Sequence, residues 1–362
     1  MVFDIDGVLL CGGEAIPGAG DAVRAVAEAG IPYIFVTNGG GVPERVKADV
    51  LTSALSLPPS SPLTSRERIL LSSTPMAGLV SQLKDARILV VGRGSSSFVT
   101  SVLAKYGYTN LIGVDEYMAK YPFLVPQWTS NPSLMAADSG RAPSGVPVAE
   151  DGAEDGAEDG ADDQEVRREQ VVDPGDYIEA VMVIHEPSNW GPVLQTLLDV
   201  VLSVSGNPGE RRKDWEGEAR TAIPVYVANP DLAYSDTFCV PRITSGSFIT
   251  CLESLVSAHT GGKAELDVTF FGKPEPLTYE YAETMLSTIG GGETAFDVIY
   301  AIGDNPRSDI AGANGAGPPW TSILVRTGNF NDPDAENSSL HPAHHVFPSV
   351  VEAVDFILQH RE

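Results

Sequence analysis

The opening stretch Met1–Gly13, MVFDIDGVLLCGG, decides how the rest of the chain is read. Three apolar residues, Met1, Val2 and Phe3, run into Asp4-Ile5-Asp6-Gly7, and apolar residues resume at Val8-Leu9-Leu10. The pattern predicts a short buried β-strand that stops at two carboxylates and a glycine. In an open α/β sheet, ligands bind beyond the carboxyl ends of the strands, so this pair stands where chemistry is expected. Two carboxylates two residues apart repel each other unless a cation or a shared proton intervenes. Taken alone, the same string fits an Asx-turn closing a strand, and both readings stay open on these residues.

Working outward, Asp21–Ala29 (DAVRAVAEA) has apolar residues at helical spacing and halts at Gly30. Ile31–Val36 predicts a second strand, ending in Thr37-Asn38-Gly39-Gly40-Gly41. A β-α-β unit of this kind implies a parallel sheet. The hydroxyl, amide and backbone donors of the glycine-rich loop suit an oxyanion, although a plain turn before a helix at Pro43–Leu55 looks the same. Residues 63–83 read as loop and helices. Arg87–Gly92 begins a strand of a second α/β unit, and Arg93-Gly94-Ser95-Ser96-Ser97 reads as a strand-to-helix turn, lacking the lysine and spacing of a phosphate loop. The helix Phe98–Tyr106 follows. Further strands are expected at Leu111–Val114, Ala180–Ile184 and Val225–Val227, with an apolar-faced helix at Trp190–Leu202.

Between those elements AEDG occurs three times over Ala149–Gly160, and nine acidic residues fall between Glu150 and Glu165. With almost no apolar content to offset ordering entropy, roughly residues 135–172 are expected to be a disordered loop. Calcium binding is the sharper alternative, but the alternating glycine period is not an EF-hand loop. Asn207–Arg220 reads as a second polar surface loop. Ser245–Leu255 reads as a helix returning toward the first unit. The strand Val268–Phe271 then runs into Gly272-Lys273-Pro274, which sets one positive charge at a strand end. Val298–Ile302 is another buried strand, followed by Gly303-Asp304-Asn305-Pro306-Arg307-Ser308-Asp309. Ser322–Val325 is the last expected strand, and the helix Val350–Leu358 follows it. His341, His344 and His345 lack a clear zinc spacing and fit a surface loop better.

Composition narrows the classes. Of 362 residues 43% are hydrophobic, enough for ordinary cores, and no apolar run has the length of a membrane span. A formal net charge of −26 argues against nucleic acid or an anionic membrane as partner. The three cysteines, Cys11, Cys239 and Cys251, have no metal-ligand spacing and fit free thiols in a reducing, intracellular compartment. No targeting segment is visible ahead of the first strand, and so abrupt a start reads as a trimmed or mis-assigned N-terminus.

Read together, the strand ends supply D-x-D-G, T-N, G-K-P and G-D-N-x-x-x-D in that order. This ordered set resembles the four-motif series of the haloacid dehalogenase superfamily, across essentially the whole chain. GVLL, IPGA, VTNGGG, ANPDL, FGKPEP and ILVRTG are similar to its type IIA subgroup. VTNGGG, SSTPM, the NW of SNW, LLDVVLS and VPRITSGSF resemble cat-eye-syndrome critical region-like phosphatases within that subgroup.

The resemblance implies an α/β fold: a Rossmann-like parallel sheet core over residues 1–84 and 246–362, with an inserted α/β C2-type cap at 85–245. It implies a Mg²⁺-dependent phosphomonoester hydrolase working through an aspartyl-phosphate on a small phosphorylated metabolite. Asp4 would be the nucleophile and Asp6 the general acid and base. Asp4, Asp6 (by its backbone carbonyl) and Asp304 would hold the metal. Thr37, with the Asn38 and Gly39 amides, would bind the phosphoryl oxygens, and Lys273 would stabilise the transferring charge. Asp309 and Asn305 would support Lys273 and the metal loop. A phosphotransferase, or a weakly active regulatory protein linked to glycerophospholipid metabolism, is the alternative. The same resemblance implies a mitochondrial setting (cytoplasmic otherwise) and pairing through the cap as a homodimer.

Overall fold

The computed structural model describes residues 1–129, 171–213, 215, 220–234, 236–238, 240–292, 295–332 and 335–360. Among them are two all-parallel sheets, one of six strands and one of five. The acidic AEDG segment, Cys239 and most of the expected loop 135–172 lie outside the described residues. Val172, at that loop's expected end, is buried in the core of the second sheet.

The six-stranded sheet runs His345–Phe347, Trp320–Val325, Ile299–Gly303, Val2–Phe3, Ile34–Thr37, Ile69–Leu71. Both faces are covered, so its strands are continuous apolar runs rather than alternating ones. Phe3, Phe35, Ile69 and Leu71 face the helices Ala19–Glu28 and Val350–Gln359. Val2, Ile34, Val36 and Leu70 face the helix Pro276–Ile289. The register Val2↔Ile34 and Phe3↔Phe35 keeps those two sets on opposite sides. Rings of Phe3, Tyr33 and Phe35 pack at 5.6–6.2 Å beside the opening strand. From Val2–Phe3 the chain steps outward to Ile34–Thr37, and later returns on the other side at Ile299–Gly303. The opening strand therefore lies at the point where strand order reverses, which is where such sheets bind ligands.

The five-stranded sheet runs Val268–Phe270, Val225–Val227, Ala180–Val183, Ile88–Val91, Leu111–Gly113. Its reversal falls between Ile88–Val91 and Ala180–Val183. The helix Trp190–Val201 buries Val193, Leu197, Val200 and Val201 against it.

Several expectations need correction. The helix Ser245–Thr260, expected to return to the first unit, buries Phe248, Ile249, Leu252 and Val256 in the second sheet's core. Val268–Phe270 pairs with Val225–Val227, so the chain changes sheets after residue 270 rather than at 246. Helical periodicity marks an apolar face but not which sheet that face covers. Ile69–Leu71, placed among loop and helices, is an edge strand, and His345 opens another in place of a surface loop. Asn207 is 5% exposed and Trp215 packs on the second core, so the polar stretch Asn207–Arg220 is anchored at both residues.

Candidate active site

The carboxyl ends of the three central strands of the first sheet converge. Asp4 follows Val2–Phe3, Thr37 closes Ile34–Thr37 with Asn38 next, and Asp304 follows Ile299–Gly303. The turn Pro306–Ile310 is wound wide, with both Asp309 and Ile310 donating to Asn305 O, and this swings Asp309 back under the cluster. Asp4, Asp304 and Asp309 are buried, and each brings an oxygen within 4.8 Å of the others. Lys273 Nζ enters between them, 2.5 Å from Asp4 Oδ1, 2.6 Å from Asp309 Oδ1, and donates to Val36 O at 2.9 Å.

The electrostatics follow from burial and crowding. Burial pushes the Asp4 carboxyl well above its ordinary value; Lys273 opposes this, while Asp309, Asp304 and Asp6 add to it. Asp304 is pushed up to about 7 by burial and then by Asp309. Burial disfavours the Lys273 ammonium, but Asp309 and Asp4 outweigh it and hold the amine above the usual lysine range. Three buried acids share one ammonium, so ionising all of them calls for a further positive charge.

Asp304 is held by the backbone N–H and side-chain amide of Asn329, both donating to Oδ2. Gly7, in the left-handed region at φ 92°, lies against it: a Cβ there would stand 2.4 Å from Asp304 Cγ. The glycine of D-x-D-G is thus a matter of close approach. Asp6, by contrast, turns away from the cluster. Its Oδ2 accepts from Lys47 Nζ at 3.2 Å and from Thr37 Oγ1 at 3.4 Å. Gly39 N donates to Thr37 Oγ1 at 2.9 Å, so that loop is ordered by its own hydroxyl.

Asn38 and Asn305 have less freedom than the motifs suggest. Asn38 Nδ2 donates to Lys273 O and to Asp231 Oδ2, and Asn38 Oδ1 accepts from Lys273 N, which leaves its backbone amide for a ligand. Asn305 N donates to Asp309 Oδ2 at 2.9 Å, and Asn305 Nδ2 reaches Asp231 Oδ1 at 3.4 Å.

The structure thus gathers every residue singled out from sequence around one cleft of about 370 Å³ between the two sheets. Among the further lining residues are Lys47, Asp231, Arg93, His185 and Glu186. Asp231 follows the strand Val225–Val227, the same strand-end position that singled out Asp4 and Asp304, and burial pushes it up to about 6. Lys47, in the first turn of the helix Glu44–Ala54, carries no comparable signal. Arg93 does lie in a strand-to-helix turn, with Ser95 capping Phe98 N, but its side chain lines the cleft.

Comparison with known proteins agrees with this geometry. A sequence model of haloacid dehalogenase-like hydrolases matches residues 1–109, and a HAD-hydrolase-like model matches residues 270–353. A Schizosaccharomyces pombe protein named cardiolipin synthase (CMP-forming) / mitochondrial hydrolase fusion protein is 32% identical over 99% of this chain. The chain spans 53% of that relative's length. A mitochondrial hydrolase of Saccharomyces cerevisiae is 30% identical, over 92% of this chain and 88% of its own. In fold, the chain is similar to a possible sugar phosphatase of the HAD superfamily from Cytophaga hutchinsonii. That likeness has a TM-score of 0.62 at 20% identity, covering 97% of this chain and 93% of that one. With hydrolase models matching both ends of the chain and a yeast hydrolase matched over most of its length, this chain belongs to the haloacid dehalogenase-like hydrolase family.

Proposed function

We propose that this chain is a phosphatase that hydrolyses small phosphomonoesters with Mg²⁺, through a phosphorylated Asp4. The observation that carries the reading is the buried contact of Asp4 with Lys273, beside Asp304 and Asp309, at the strand-order reversal. The donor set fits a hard divalent cation: oxygens only, close together, and three buried carboxyls for a single ammonium. Asp4, Asp304 and the Asp6 backbone carbonyl would hold it. Both Asp309 oxygens are engaged, by Lys273 and Asn305 N, which suits a supporting role. When bound, the cation neutralises phosphoryl charge that would otherwise repel an anionic nucleophile.

The chain's own groups do the rest. An Asp4 oxygen attacks phosphorus as the bond to the ester oxygen breaks, and Lys273 balances the charge on the transferring group. The Thr37 hydroxyl and the Asn38 amide hold the non-bridging oxygens, and the Gly39 amide joins them on leaving Thr37 Oγ1, to which it donates here. Asp6, on the side of Thr37 and Lys47, gives a proton to the leaving alkoxide. It then takes one from the water that opens the aspartyl-phosphate. Both yeast relatives carry mitochondrial in their names, and one name couples a hydrolase to a cardiolipin synthase. These names support a mitochondrial role beside glycerophospholipid metabolism.

The test is phosphate release from a panel of phosphomonoesters with Mg²⁺, comparing wild type, Asp4→Asn and Asp6→Asn. Release that needs Mg²⁺ and Asp4 is expected. Release equal to that of the Asp4→Asn protein across the panel would sink the reading. Phosphate passing to an added alcohol faster than to water would move it to a phosphotransferase.

A further inference from the structure

The second sheet has its own reversal point, and it opens on the same cleft. Arg93 and His185 follow the adjacent strands Ile88–Val91 and Ala180–Val183, between which strand order reverses, and both line the cleft. The two ligand-binding positions of the two sheets are therefore pressed together. The contact is close: a Cβ on Gly41 would stand 3.0 Å from the His185 ring, and one on Gly40 would stand 3.0 Å from Ile184 O. The wall carrying His185 thus lies against the Thr37–Gly41 loop, to which we assign the phosphoryl group.

Glu186 fixes this wall. Its side chain is 5% exposed, and Oε1 accepts from Arg93 Nη2 at 2.6 Å. Oε2 lies 3.0 Å from His185 Nδ1 and accepts from the hydroxyls of Thr244 and Ser245 at 2.8 and 3.1 Å. A buried carboxylate with four donors is satisfied and is no ligand site itself; it orients the Arg93 and His185 side chains. Arg93 keeps 54% of its side-chain surface open, and a guanidinium tied through one nitrogen retains other N–H donors for a planar oxyanion. The imidazole, tied at Nδ1, has its other nitrogen available. The apolar Val46 and Val50 also line the cleft while 40% and 47% exposed, as the short carbon chain of a ligand would need.

We infer that Arg93 and His185 form a second oxyanion subsite, so that the substrate is a small phosphomonoester carrying a second acidic group, a carboxylate or another phosphate. As a statement about substrate it rests on the hydrolase reading above; as a statement about binding it does not.

The experiment uses the full chain with Asp4→Asn, in Mg²⁺ buffer, titrated calorimetrically with three probes built on three carbons. These are propyl phosphate, 3-(phosphonooxy)propanoate and 1,3-propanediol bisphosphate. At least one doubly acidic probe is expected to bind about 10-fold or more tighter than propyl phosphate, the effect of one or two charge-assisted hydrogen bonds. The tighter of the two names the second group. Adding Arg93→Gln is expected to bring the ratio down to about 2-fold, and Arg93→Lys to restore part of it. Equal affinity for all three probes, or a ratio unmoved by Arg93→Gln in a protein that melts as its parent does, would overturn the subsite. Phosphate release by the wild-type chain separates the two proposals. Preferential binding with no Asp4-dependent release from any probe leaves the subsite standing and removes the hydrolase reading. Release without preference does the opposite.

Discussion

Asn38 grips both backbone groups of Lys273: its Oδ1 accepts from Lys273 N at 2.7 Å and its Nδ2 donates to Lys273 O at 2.7 Å. The two residues are 235 apart in sequence, and the pair is buried. This contact sets where the Lys273 side chain starts, and so where its charge ends.

Replacing Asn38 with Ala should cost about 2–4 kcal/mol, because a buried N–H, a buried carbonyl and the Asp231 carboxylate each lose a partner. Urea unfolding measures the cost, and turnover should fall with it as Lys273 loses its seat. A variant as stable as wild type would show that the double contact is dispensable.

Lys273→Met should cost about 3–5 kcal/mol, since two buried carboxylates lose their counter-charge. Phosphate release should fall by more than about 100-fold. Arginine should not restore it, because Lys273 is 5% exposed and the larger fork has no room. Rescue by arginine would show that charge alone is enough at this position.

Lys47 should behave as a positioning residue, since its ammonium sits 3.2 Å from Asp6 Oδ2. Lys47→Met is expected to lower kcat by about 10-fold with little change in KM, a modest share of what a general acid contributes. Lys47→Arg should recover most of the loss. A change confined to KM would place Lys47 in ground-state binding instead.

Metal linkage can be read without turnover. At Mg²⁺ near 100 times its dissociation constant, stability should rise by about 2.7 kcal/mol, seen as a higher Tm. Asp304→Asn should remove the rise. Gly7→Ala should remove it too, since the new methyl would displace Asp304. A Tm that climbs equally in all three proteins would put the ion elsewhere.

Glu186 gives a pH dependence. Burial pushes its carboxyl up, but His185 and the Thr244 hydroxyl outweigh burial and bring it down from 4.5 to about 2. A depressed carboxyl contributes stability that is present above pH 4.5 and lost as pH falls toward 2. Solvent reaching the cleft screens the effect, so about 2 kcal/mol is expected across that window. Urea midpoints measured through it should fall more steeply in wild type than in Glu186→Gln. Parallel curves would mean the carboxylate is not held by its neighbours.

The sequence was most legible where chemistry follows a buried strand. Asp4, Asp304, Thr37 and Lys273 each stand after an apolar run, and topology brings such ends together. Ile69–Leu71 escaped notice because three apolar residues have no period of their own, and its partner strand is 34 residues upstream at Phe35. Asp231 had the right position at a strand end, yet it belongs to the opposite sheet and shows its importance only by touching Asn38 and Asn305. Lys47 could not be found by motif. A helical lysine is ordinary until its helix is seen to begin beside Asp6. The segment Ser245–Thr260 is legible as a helix but not in its layer, since an amphipathic face does not name its partner.

The edge strand Val268–Phe270 hydrogen-bonds to the second sheet, and Lys273 lies three residues beyond it in the first. The ammonium beside Asp4 is therefore tied through three residues to the second sheet. Gly272 leaves little slack, since a Cβ there would meet Asn38 Oδ1 at 2.6 Å and Ala228 O at 2.8 Å. Displacing the second sheet would then also draw the ammonium away from Asp4. A chimera that exchanges the second sheet between relatives must be spliced after residue 270: a joint at 246 would strand the tether on the wrong protein.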